Sequence, residues 1–272
     1  MEPIDRFVRI TASDDPRLAD YAALTDAELR KRYEHEHGVL IAEGPNPVRE
    51  LVASPYPVRS LLLADDRIDR VADLLPRIAA PVYLVTQELL HEVVRFKLHQ
   101  GVIACGSRLP PRTVDEVVAG AQRLAVLEGL NDHENLGTLF RSARGLGVEA
   151  VVLAHGCADP LYRRSVRVSM GHVLHVPHAA GGHLDDLLPK LRSEGFRTLA
   201  LTPDPGATDL RDVQTGASER VALLLGAEGP GLSDAALTGA SERVRITMQD
   251  GVDSLNVATA AAIAFHAIAP AR

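Results

Sequence analysis

The sequence predicts an α/β protein in two parts, the second built around a buried parallel sheet. Three observations carry this. From Arg123 onward, short apolar segments alternate with amphipathic helical ones. The apolar segments are nearly continuous rather than alternating in polarity, as strands covered on both faces are. Finally, Pro110 and Pro111 in CGSRLPPRTVDE interrupt any regular element. We place a first domain at residues 1–106, a linker at 107–119 and a second domain at 120–272.

In the first part, Thr25 and Glu28 have the spacing of a capping box and predict a charged helix through about Glu36. VLIAEG follows as an apolar segment ended by glycine, then PVRELVAS as a helix, VRSLLLADD, a second helix around Arg67 to Ile78, and VYLVTQ. This is a small α/β domain with no reactive constellation. In the second part, LAVLEGL, EAVVLAHG, HVLHVPHA, FRTLALTP, VALLLGAEG and ERVRITM read as strands. NLGTLFRSARGLG, LYRRSVRVSMG and LDDLLPKLRSEG read as helices, with a short helix after Ser233 and a last one from about Leu255.

Composition narrows the class. The chain has 272 residues, 46% hydrophobic and 24% charged, enough to bury a substantial core. Its longest weakly polar run, Asn256 to Ala269, is too short for a membrane-spanning helix of about 20 residues. The opening MEPIDRFVRI lacks the basic and apolar regions of a secretory signal. Cys105 and Cys157 could form one bridge at most, and no His, Cys or Asp cluster has metal-ligand spacing. A cytoplasmic protein without a metal is the expectation.

The formal charge of −7 means that any nucleic-acid surface must be a local patch. Up to Gly106 there are 13 basic and 17 acidic residues, so the first part is not basic as a whole. Candidate patches are Arg30, Lys31 and Arg32; Arg141 and Arg144; and Arg163, Arg164 and Arg167. A solvated helix face accounts for each equally well.

Ligands in parallel sheets sit beyond the carboxyl ends of strands, which directs attention to the loops there. Three are unusual: Asp132 to Gly137 leading into Arg141 and Arg144; Leu225 to Ser233, which contains GAEGPG; and Ile246 to Met248 followed by Val252 to Val257. Glycine lets backbone approach a ligand, so GAEGPG could hold a dinucleotide. It is not GxGxxG, however, and it lies near the end of the domain. Asn135 with Gly137, and Ser254, could be simple helix caps. A simple turn fits Pro230-Gly231 but leaves Glu228 between glycines unexplained, and capping by Ser254 leaves Asn256 unexplained in a segment of Val, Ala, Thr and Ile.

Read together and in order, these segments resemble the three motifs of SpoU/TrmH-type RNA ribose methyltransferases, a branch of the SPOUT superfamily. They are Asn135-Leu136-Gly137 with Arg141, Leu225 to Leu232, and Ser254-Leu255-Asn256-Val257. Arg167-Val168-Ser169-Met170-Gly171 resembles an intervening segment of the family. Leu40 to Gly44 and His99 to Ala104 resemble the small α/β substrate-binding domain of ribosomal-RNA members. Two departures stand out. His133 and Thr247 occupy places usually held by proline, whose fixed φ would stiffen the loop.

The resemblance implies a catalytic domain with a C-terminal deep trefoil knot, S-adenosylmethionine as methyl donor, RNA as substrate and a homodimer. It makes Leu225, Gly226, Glu228, Gly229, Ile246, Met248, Ser254 and Leu255 the cofactor-binding residues. Arg141, Asn135, Glu228, Ser254 and Asn256 become the catalytic set, and Arg30, Lys31, Arg32, Arg144 and Arg167 the RNA contacts. The 2′-hydroxyl is a poor nucleophile, so Arg141 would position phosphate, stabilise the developing oxyanion or act as base. The extra N-terminal domain favours 23S ribosomal RNA. The alternatives are a transfer-RNA ribose methyltransferase, a non-catalytic RNA-binding relative and a nicotinamide-dependent enzyme using GAEGPG.

Overall fold

The computed structural model describes residues 6–269, so part of the opening MEPIDRFVRI lies outside the described residues. The chain packs as two units. One runs to Pro110 and includes Leu161–His175; the other comprises Pro111–Pro160 and the chain from Val176 on.

The first unit contains β1 (Phe7–Arg9), α1 (Ala27–Glu36), β2 (Val39–Glu43), α2 (Pro45–Ala53), β3 (Val58–Ala64), β4 (Val82–Val85), α3 (Gln87–Val94) and β5 (Val102–Ser107). Its strands form a mixed sheet in the order β1-β4-β3-β5-β2, with β5 antiparallel to both its neighbours. Leu18, Tyr21, Val39, Ile41, Leu62, Val85, Leu90 and Ile103 build its core.

Several expectations about this unit need correction. The cap of α1 is Asp26, whose carboxylate accepts from the Leu29 amide, and not Thr25. The expected helix at Arg67 to Ile78 is two short 3-10 segments, Asp65–Val71 and Leu75–Arg77. Pro76 has no N–H for an α-helical bond, and the second segment is built around it. Arg30 is no RNA contact. It is 1% exposed, its guanidinium donates to the carbonyls of Asp20 and Ala22 and to Glu34, and it lies over the Tyr33 ring. Lys31 and Arg32 are exposed, and Lys31 pairs with Glu28 at 3.7 Å.

The rest of the chain supplies α4 (Val114–Val118), β6 (Arg123–Glu128), α5 (His133–Gly145), β7 (Ala150–Ala154), α6 (Arg163–Val168), β8 (His178–Gly182), α7 (Leu184–Ser193), β9 (Arg197–Leu201), β10 (Thr208–Asp209), β11 (Val221–Gly226), α8 (Asp234–Gly239), β12 (Glu242–Arg245) and α9 (Val257–Ile268). Of these, α6 belongs to the first unit. There Arg163 donates to Glu43 at 2.6 Å and to the Leu24 carbonyl, and Arg167 pairs with Glu43 at 3.7 Å.

The second unit is a seven-stranded sheet, every pairing parallel, in the order β10-β12-β9-β11-β6-β7-β8. Its central strands are buried almost throughout, which is why Leu124 to Leu127 and Val221 to Leu225 read as unbroken apolar runs. Leu136, Leu139, Phe140 and Ala143 give α5 one buried stripe, and Leu184, Leu187, Leu188 and Leu191 do the same for α7. Three boundaries differ from expectation. The polar stretch after Pro111 is no plain linker but contains α4, opened by a capping box of Thr113 and Glu116. His172–His175 is a 3-10 turn in the first unit, and β8 begins only after Pro177. The last helix starts at Val257, with Asn256 as its cap.

Buried Arg123 ties this unit together. Its Nε donates to the Ile268 carbonyl at the end of α9, one Nη to Gly216 at 2.9 Å and the other to Glu219 ahead of β11. At 2% exposure it cannot trade these partners for water. Arg123→Met should therefore lower stability by roughly 2–5 kcal/mol, since three carbonyls, that of Ile268 buried, lose charged donors. Urea unfolding checks this, and a change below about 1 kcal/mol would show the bonds to be replaceable.

Candidate functional site

At the carboxyl edge of the second sheet, the loops after β9, β11 and β12 enclose a cavity of about 570 Å³. Leu201, Thr202 and Pro203 form one wall and the loop from Leu225 to Gly231 another. Ile246, Met248 and the segment Asp253 to Val257 close it. All eight residues expected to hold a cofactor line this one space, with Asn256 beside them.

The wall after β11 is shaped by backbone. Gly231 donates to the Ala227 carbonyl at 3.0 Å and closes a tight loop, in which Gly229 and Gly231 adopt φ of 87° and 73°, a region costly for other residues. Gly226 meets a different constraint. A Cβ there would collide with the Gly231 carbonyl carbon and the Leu232 nitrogen. The loop is also tied to the sheet, because Glu128 at the end of β6 accepts from the Ser233 amide at 2.8 Å.

Three polar side chains from separate loops meet at Asn256. Its Nδ2 donates to Asn135 Oδ1 at 2.8 Å and to Glu228 Oε1 at 2.7 Å. Its Oδ1 caps α9 by accepting from Ala258 and Thr259. Glu228 Oε1 also takes the Val257 amide. Both protons and the oxygen of the Asn256 amide are thus used, which fixes its orientation. This accounts for Glu228 and Asn256, which a simple turn and a Ser254 cap left unexplained. Asn135 itself lies in the first turn of α5, whose cap is Asp132. His133 occupies the first position of that helix, where proline is well tolerated.

Ser254 lines the cavity but does not cap α9. The expected arginines lie elsewhere. Arg141 is on α5, exposed, outside the cavity lining, and without a hydrogen bond or ion pair to the described residues. Arg144 is exposed on the same helix, and Arg167 belongs to the first unit. The wall Leu201 to Pro203 lies outside the three motifs. Its signal was present, since TPDPG directly follows a strand.

Local electrostatics are mild. The Thr247 hydroxyl donates to Asp209, joining the cavity loop to β10. With Arg211, the stronger partner, it holds the Asp209 carboxyl well below the ordinary range. Cys157 donates to the Leu127 carbonyl at 3.2 Å, and burial pushes its thiol up, so it keeps its proton at neutral pH. Cys105 and Cys157 are both free. Among the described residues no group of three or more His, Cys, Asp or Glu could hold a metal, and no helix is long and apolar enough to cross a membrane.

This architecture is that of a known class. Residues 122–266 match the SpoU rRNA Methylase family, and residues 41–111 match the RNA 2′-O ribose methyltransferase substrate binding domain. The chain belongs to the SpoU rRNA methylase family and is by that membership an RNA methyltransferase. It is 48% identical over 254 residues to an uncharacterised tRNA/rRNA methyltransferase of Mycobacterium tuberculosis, covering 93% of this chain and 88% of the relative. It is 29% identical to the 23S rRNA (guanosine(2553)-2′-O)-methyltransferase of Bacillus subtilis, covering 94% and 96%. The AdoMet-bound rRNA methyltransferase of Sinorhizobium meliloti superposes with a TM-score of 0.81 at 24% identity, covering 97% of both chains, which shows the shared fold.

Proposed function

We propose that this chain methylates a ribose 2′-hydroxyl of 23S ribosomal RNA with S-adenosylmethionine, as a homodimer in the cytoplasm. The observation that carries the reading is the joining of Asn135, Asn256 and Glu228 at the mouth of a backbone-lined cavity. The residues fit the cofactor. The cavity lies within the range of about 300–1,000 Å³ that holds ligands of this size. Its glycine wall has no room for a side chain at Gly226, and apolar Leu201, Leu225, Ile246, Met248 and Leu255 alternate there with polar groups. Leu225, Gly226, Gly229, Ile246, Met248, Ser254 and Leu255 would hold it. When bound, its sulfonium supplies an electrophilic methyl group.

The chain's own part is to present the ribose and manage its charge. Asn256 locks Glu228 and Asn135 in place, leaving Glu228 Oε2 and Asn135 Nδ2 to orient the acceptor. Ser254 borders the same space. The exposed guanidinium of Arg141 would bind phosphate or the developing oxyanion, in a site completed by the second copy. Exposed Val252, Leu255 and Ile263 near or on α9 support an apolar dimer contact. Support for a trefoil knot comes from β11, which is laid between the earlier strands β6 and β9. The likeness to the 23S rRNA methyltransferase of Bacillus subtilis supports ribosomal RNA, with exposed Lys31, Arg32 and Arg144 and half-buried Arg167 as candidate phosphate contacts.

Tritiated S-adenosylmethionine with total RNA from a strain lacking the gene tests this reading. Label is expected in 23S RNA as a 2′-O-methyl nucleotide. Label in transfer RNA would overturn the choice of substrate, and no label in any RNA would overturn catalysis.

A further inference from the structure

We propose that His155 and His183 form a stacking platform for a nucleobase of the substrate RNA a few nucleotides away from the acceptor ribose. This rests on the RNA-methylation reading above. The two imidazoles are exposed and stacked on each other, with centroids 4.6 Å apart and planes 21° from parallel. Neither has another partner among the described residues that would explain its place.

Their position is set by the sheet. His155 directly follows β7 and His183 directly follows β8, neighbouring strands whose ends are joined by the His155 amide donating to the Gly182 carbonyl at 2.7 Å. On the other side the His155 carbonyl accepts from Gly129 at 3.0 Å, and a Cβ on Gly129 would meet Ala227 of the cavity wall at 3.2 Å. Platform and cavity therefore share one edge, with Glu128 level with Gly226 and the loop to Asn135 between them. They are two or three strands apart, roughly 10–15 Å at about 4.8 Å per strand. That is three or four stacked nucleotides at about 3.4 Å each.

The chemistry selects bases over phosphates. The charged groups beside His183 are Asp185 and Asp186, exposed in the first turn of α7, which repel a phosphate backbone. A pair of flat rings offers instead a π face, and unpaired RNA bases stack on histidine as on other aromatics. Nothing in a packed core requires two such rings at the surface.

The test uses the full-length protein and unmodified 23S RNA. Steady-state methylation gives KM for RNA and kcat separately, calorimetry gives the affinity for S-adenosylmethionine, and fluorescence anisotropy gives RNA binding independently of turnover. His155→Ala and His183→Ala are each expected to weaken RNA binding at least about fivefold, the low end for one lost base stack. The loss should fall on KM more than on kcat, with cofactor affinity within twofold. The double variant should be little worse than either single one, because the rings act as a unit. His155→Phe should recover most of the loss, since stacking tolerates any aromatic ring. Unchanged RNA affinity in both alanine variants would overturn the platform, as would weakened cofactor binding with intact RNA affinity, which would make the pair a support for the cavity. If the wild type methylates no RNA, the proposed reaction fails, and anisotropy still decides for or against the platform.

Discussion

Arg141→Ala is expected to cut methyl transfer by at least 10²–10³-fold, the usual cost of removing one group that stabilises developing charge. Affinity for S-adenosylmethionine should stay within a few fold. The separation follows from the structure, because Arg141 stands on α5 outside the cavity and pairs with no described residue. A charged side chain left free on an otherwise well-packed helix is available for substrate. Arg141→Lys should fail as well, since a point charge does not reproduce the planar fork of a guanidinium. Mixing the Arg141→Ala protein with Asn256→Ala protein should restore part of the activity if each site draws its arginine from the other copy. Single-turnover kinetics and calorimetry measure both quantities. Near-wild-type turnover in either Arg141 variant would remove this residue from the mechanism.

Gly226→Ala is expected to abolish cofactor binding. The added methyl would collide with the main chain of Gly231 and Leu232, which no side-chain rotation can relieve. To admit it, the loop must open at the Gly231 to Ala227 bond, and with it one wall of the cavity. Gly195→Ala, at a turn that does not line the cavity, is the matched control. It has open space around it and only its φ of 80° to oppose substitution, a penalty of roughly 1–2 kcal/mol. Calorimetry with S-adenosylmethionine should thus give no heat for the first variant and near-normal binding for the second. Equal affinities would mean that the loop is not the cofactor wall.

Much of the second unit was legible because its signals are local. Unbroken apolar runs such as Val221 to Leu225 mark strands buried on both faces, and the glycine loop after them marks close backbone approach. The trio of Asn135, Glu228 and Asn256 could be named in sequence but not joined, since its members are 121 and 28 residues from Asn256. Elsewhere local signals misled. Thr25 and Glu28 have capping-box spacing, yet Asp26 wins by its own carboxylate, and the real box at Thr113 and Glu116 sits in a stretch read as linker. Arg30, Lys31 and Arg32 read as one basic run, but successive helical residues point about 100° apart, so one turns inward while two face water. The order of the chain also hides that Leu161–His175 joins the first unit. A fragment starting at Arg112 would leave that segment without β2 and α2, the elements it packs on, so truncation there is no clean test of substrate recognition.

The hold of Arg123 on the end of α9 makes that helix a lever. Twelve residues separate the clamped Ile268 from the cap at Asn256, a rod of about 18 Å at 1.5 Å per residue. A tilt of about 3° at the clamped end would move the other end by roughly 1 Å, a displacement that can cost on the order of a hundredfold in rate. An arginine buried at the far rim of the sheet thereby bears on the aim of the Asn256 amide at the cavity, and the length of the helix is the gain of that linkage.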